Sequence, residues 1–130
     1  MSLDVAPALL EQVTRGELPD GAFVETVRTS LPYAWETVSR VAAELRADDR
    51  PFADNEVAPP DETARGQLLR ALASDSIRGA LEAHFQVKLA FQNCHRVAAF
   101  RPEDVDGPVY ARFVSPLAQL RNQSPELRDC

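Results

Sequence analysis

Residues 85–100 read Phe85-Gln86-Val87-Lys88-Leu89-Ala90-Phe91-Gln92-Asn93-Cys94-His95-Arg96-Val97-Ala98-Ala99-Phe100, and the period assigned to them decides the fold. Phe85, Val87, Leu89 and Phe91 alternate with Gln86, Lys88, Ala90 and Gln92, the two-residue rhythm of a half-buried strand. A turn at Asn93 to His95 and an apolar run from Arg96 to Phe100 complete a hairpin. Leu81, Phe85, Leu89 and Gln92 also satisfy helical spacing, which leaves a continuous helix through Phe100, and hence an all-α chain, as the alternative.

Upstream the pattern is helical. Pro7 lies in the opening turn of a segment that carries Leu9, Leu10 and Val13 and stops at Gly16; Asp4 is its expected cap. Phe23, Val24 and Val27 mark a second helix after Asp20-Gly21. Ser30 and Pro32 signal the start of a third, whose stripe of Leu31, Trp35, Val38, Ala42 and Leu45 is continuous. Glu36, Arg40 and Glu44 fall on its other face, one helical turn apart.

Asp61 and Ser74 then cap two further helices, the first carrying Leu68, Leu69 and Leu72, the second Ile77, Ala80 and Leu81. Between Asp48 and Pro60 periodicity is lost and prolines discourage helix, so the segment reads as a loop pinned by Phe52 and Val57. Downstream of the hairpin, Asp106-Gly107-Pro108 turns the chain into Val109 to Val114, read as a third strand. Ser115-Pro116 opens a short last helix.

The expected fold is therefore α+β: one mainly helical domain spanning 1–130, with a small antiparallel hairpin or three-stranded sheet in the C-terminal half. Its helices fall within 5–15, 22–30, 32–47, 61–73 and 75–85, its strands within 87–92, 96–101 and 109–114, and its last helix within 116–122. A chain of 130 residues with 45% hydrophobic and 26% charged content holds enough apolar material for one core.

Charge and pattern restrict the function. The net charge of −6 opposes attraction to phosphate backbones and anionic lipid, so neither nucleic acid nor membrane is an expected partner. The charge is uneven: residues 1–64 hold 13 acids and 5 bases, residues 65–130 hold 7 acids and 9 bases. No apolar run approaches the roughly 20 residues that cross a bilayer, and the N-terminus lacks a basic flank followed by an apolar core, which points to the cytoplasm. Cys94 and Cys130, far apart and the only cysteines, read as thiols rather than as a disulfide framework.

No Gly-x-Gly-x-x-Gly, Walker-type phosphate loop or Gly-x-Ser-x-Gly elbow is present, which disfavours nucleotide hydrolysis and esterase chemistry, and no cofactor is expected. The acidic pairs Asp48-Asp49, Asp61-Glu62 and Glu103-Asp104 lie at loops or helix starts and read as surface charge.

The densest reactive cluster is Cys94-His95-Arg96. A histidine can take the thiol proton and a guanidinium favours the thiolate, so this trio is the candidate catalytic group. His84, Cys94, His95 and Cys130 have donor atoms suited to a borderline metal, although their spacing matches no compact ligand motif. Cys130 places a thiol beside the terminal carboxylate, where it can reach another molecule. Tyr33, at a spacing of two from the core-facing Trp35, points elsewhere and, with Phe52 and Cys130, is a candidate contact residue.

These features favour a non-enzymatic interaction or accessory protein that meets another protein through a helical face, the 48–60 loop or the C-terminal segment. The alternative is a small thiol- or metal-dependent enzyme or accessory subunit centred on Cys94 and His95.

Overall fold

A computed structural model describes residues 2–92 and 96–121. The order is α1 (Pro7–Thr14), α2 (Ala22–Ser30), α3 (Pro32–Ala47), β1 (Ala53–Asp54), α4 (Glu62–Leu72), α5 (Asp75–Phe85), β2 (Lys88–Gln92), β3 (Arg96–Phe100), a 3-10 turn (Pro102–Asp104), α6 (Pro108–Phe113) and α7 (Pro116–Arg121). The fold is α+β and mainly helical. The two-residue reading holds for Lys88–Gln92 and Arg96–Phe100, where the helical alternative is excluded; Phe85 belongs to α5, and the turn expected at 93–95 lies outside the described residues.

The switch from helix to strand occurs at Gln86, the only described non-glycine residue with positive φ (57°), in the left-handed conformation that ends α5. At the other end of that helix the Ser74 side chain accepts from the Ile77 N–H at 3.3 Å, and Asp61 does the same for Ala64 at 2.8 Å, so both predicted caps form.

Helix α3 has no capping side chain of its own. Gln67 of α4 supplies the acceptor, its Oε1 taking the N–H groups of Tyr33 at 2.7 Å and Ala34 at 3.3 Å. The far end of α3 is closed by Arg101, which donates to the carbonyls of Leu45 (3.0 Å), Asp48 (3.0 Å) and Arg50 (2.8 Å). The expected cap of α1 does not form. The Asp4 N–H donates to Ser30 Oγ at 2.8 Å, and α1 begins after Ala6 with Pro7 at its first position.

The sheet is antiparallel with strand order β1-β3-β2. Ala53 pairs with Ala99 and Asp54 with Ala98, while β2 and β3 pair from Lys88↔Phe100 to Gln92↔Arg96. Alternation gives the sheet two apolar faces. Ala53, Leu89, Val97 and Ala99 pack with Leu31, Val38, Val41, Leu45, Leu68 and Ile77 of the helices. Ala90, Ala98 and Phe100 pack with Phe52, Val109, Tyr110 and Phe113 on the opposite side.

Further expectations are corrected. Val109 to Val114 is not a strand: Pro108 at the first helical position and Gly107 before it start α6, whose Val109, Tyr110 and Phe113 recur at helical spacing and cover the second sheet face. The third strand comes instead from Ala53–Asp54, inside the stretch read as a loop. Two residues are too few to show an alternation. In the same stretch Phe52 pins the chain as expected, but Val57 does not, being 74% exposed.

Candidate functional site

Tyr33, Arg40 and Glu44 lie along one side of α3, and the segment from Arg50 to Pro60 passes over them. Together they enclose a cleft of about 550 Å³ whose far wall carries Asp54, Glu56 and Val57. The arrangement follows from three anchors already described: Gln67 fixes the start of α3, Arg101 ties its end to Arg50, and β1 holds Ala53–Asp54 on the sheet. The exposed tip of the segment is thereby suspended above α3.

The cleft is mixed in charge. Arg50 pairs with Asp48, and that hydrogen bond, followed by Asp48's charge and then those of Glu44 and Glu56, raises the guanidinium's pKa above its ordinary value. Arg40 makes no ion pair among the described residues, so neither helical spacing that would link it to Glu36 or Glu44 is used. Exposed Arg40 and half-buried Tyr33 line the same cleft and bring to it hydrogen-bond donors, charge and an aromatic surface.

The base of the segment is built differently. Asp54 Oδ2 accepts from Arg96 Nε at 2.8 Å and Nη2 at 2.5 Å, Arg96 Nη1 donates to Gln92 Oε1 at 3.3 Å, and the guanidinium lies 5.0 Å from the centroid of the Phe113 ring. Gln92 in turn donates to the Phe113 carbonyl. All three Arg96 nitrogens are therefore engaged in tying β1, β2, β3 and α6 together.

The sequence candidates separate in space. Tyr33 stands in the cleft. Phe52 faces the other way, 5.3 Å from the Phe100 ring and 5.6 Å from that of Phe113. His84 is an exposed side chain 4.9 Å from the Trp35 ring and 4.8 Å from that of Phe85. Cys94, His95 and Cys130 lie outside the described residues, and among the described residues no group of three His, Cys, Asp or Glu side chains could hold a metal. Among the described residues, too, no helix is long and apolar enough to cross a membrane.

Sequence reasoning missed Asn55, Gln67, Arg96 as a strand-tying residue, and Arg101. Each acts over a long sequence separation through one polar side chain, which leaves no periodic trace.

Over residues 1–130 the chain matches the profile of a family described as NucS shadow ORF, whose label carries the prefix KH. The description names a reading frame in relation to NucS and states no activity. No curated protein and no solved structure matches the chain. The match spans the whole sequence, and the chain belongs to the NucS shadow ORF family.

Proposed function

We propose that the protein is a non-enzymatic interaction module of the cytoplasm, which takes a segment of another protein in the cleft between α3 and residues 50–60. The observation that carries this reading is that Arg40, without an ion pair among the described residues, lines with Tyr33, Glu56 and Val57 an open cleft of about 550 Å³. A mixed rim of this kind suits a polypeptide, whose carboxylates, amides and apolar side chains alternate, better than it suits a uniformly anionic polymer.

Read as K-homology, the KH prefix of the family label names nucleic acid as the rival partner. K-homology modules hold four backbone nucleotides with a Gly-x-x-Gly loop. No Gly-x-x-Gly occurs in this sequence, and the net charge of −6 opposes phosphate.

The test is a tagged full-length chain expressed in its own host beside Tyr33→Ala and Arg40→Glu variants, with quantitative mass spectrometry of what each retains. The reading expects the untagged chain's own peptides to be detectable in that host, and one protein to be held by wild type and lost from both variants. Identical retention by all three contradicts it, as does recovery of nuclease-sensitive nucleic acid in place of protein. Absence of the chain's peptides from cells that make NucS removes the need for any partner.

A further inference from the structure

Residues 2–20, outside the α3 cleft, are held to the rest of the molecule at few points. None of them is buried, and within α1 only Leu9 and Gln12 are half-buried. Val5, Leu10, Val13 and Leu18 stay between 37% and 57% exposed, so docking of the segment takes little apolar surface out of water.

The polar contacts of the segment are largely its own. Arg15 pairs with Glu11 and Glu17, the Thr14 hydroxyl donates to the Leu10 carbonyl, and the Glu17 N–H donates to the Gln12 carbonyl. Among the described residues, no hydrogen bond or ion pair of residues 5–20 reaches beyond Ala22. The ties that do reach the body lie at the segment's start: the Leu3 side chain packs against the main core, and the Asp4 N–H donates to Ser30 Oγ at 2.8 Å. The other end is a joint. Gly16, just past α1, and Gly21, just before α2, have φ of 80° and 78°, the left-handed conformation that costs glycine no strain. From α2 onward the chain is anchored, Val27 being 1% and Leu31 0% exposed.

We infer that residues 2–20 are a releasable arm, latched by Leu3 and Ser30 and jointed at Gly16 and Gly21, which leaves the body as one unit while α2–α5 and the sheet stay folded. The eight residues of α1 are too few for a helix that persists alone in water, where roughly 12–15 are needed, so release melts α1. Opening also bares the seat of Leu3 on the core and frees the Ser30 hydroxyl. The arm is an order–disorder switch of low local stability set on a body of higher stability.

The test is native-state hydrogen exchange of the full chain, read residue by residue by NMR at a series of low urea concentrations. The N–H groups of Leu10 to Thr14 should be protected about a hundredfold less than those of Val38 to Leu45 in α3, and should respond weakly to urea because their opening exposes little surface. Ser30→Ala removes the acceptor and should speed exchange at Leu10 to Thr14 by about two- to tenfold. Leu3→Ala should speed it by about three- to tenfold. Asn55→Ala weakens the sheet, which is folded whether the arm is docked or released, so it should speed exchange in α3 and leave Leu10 to Thr14 unchanged. Protection at Leu10 to Thr14 equal to that of α3, or a parallel acceleration of both by Asn55→Ala, overturns the proposal, because the arm then opens only with the whole chain. So does exchange of Leu10 to Thr14 at random-coil rates, or at rates that neither Ser30→Ala nor Leu3→Ala changes.

Discussion

Asn55 binds Val97 twice: its backbone N–H donates to the Val97 carbonyl at 3.2 Å, and its side-chain Oδ1 accepts from the Val97 N–H at 2.7 Å. The side chain thus completes the ladder one residue past β1 and releases the chain from the sheet toward the cleft. Asn55 is 5% exposed and Val97 fully buried, so loss of the amide oxygen leaves the Val97 N–H in the interior without this acceptor. Asn55→Ala should cost about 1–3 kcal/mol in urea unfolding and accelerate hydrogen exchange at Val97. Loss below half a kcal/mol would mean that Oδ1 is dispensable to the ladder.

Gln67 ties the cleft's other wall to α4. Gln67→Ala removes the acceptor for two N–H groups at the start of α3 and should destabilise by about 1–2 kcal/mol, within the range measured for lost helix caps. Gln67→Glu keeps an acceptor there and should retain most of the stability. Equal loss in both variants would show that packing, not capping, is what Gln67 provides.

Thr37 is the opposite case. It is fully buried in α3, and its hydroxyl has no hydrogen-bond partner among the described residues. Thr37→Val, near-identical in shape, should raise stability by about 1 kcal/mol in chemical denaturation. A loss of that size would establish that the hydroxyl is satisfied in solution.

Arg96 and Asp54, 27% and 14% exposed in their side chains, form the half-buried ion pair that joins β3 to β1. Arg96→Ala should cost about 2–3 kcal/mol, in the range of charge-assisted hydrogen bonds. In a double-mutant cycle with Asp54→Ala the two losses should fall well short of adding, because either change strands the same pair. Additive losses would contradict direct coupling.

The elements with repeated apolar spacing were legible in the sequence: α2 to α5, β2 and β3 begin and end within a residue or two of their signals. Asp61, Ser74, Pro32 and Gly16 are local punctuation and act locally. What stayed hidden was non-local. β1 is a strand only because β3 offers an edge to Ala53–Asp54, and Val109 to Val114 joins two valines at its ends to a helix-forming centre behind Gly107-Pro108, a mixture that a two-residue reading mistakes for alternation. Of the candidate site, Tyr33 and the 48–60 segment were visible as exposed aromatic and aperiodic loop. Arg40 was assigned to an exposed helix face, and its place in the cleft depends on Gln67 and Arg101, which no spacing announces. Agreement among caps, apolar faces and buried polar pairs is what a sequence committed to one fold displays.

The most direct test of the cleft as a protein-binding site is photo-crosslinking in the native host with benzoyl-phenylalanine at position 33, against the same group at exposed position 69 on α4. The account predicts a discrete adduct with one protein from position 33, absent at position 69 and suppressed by Arg40→Glu. Adducts that are equal at both positions, or unaffected by Arg40→Glu, would contradict it.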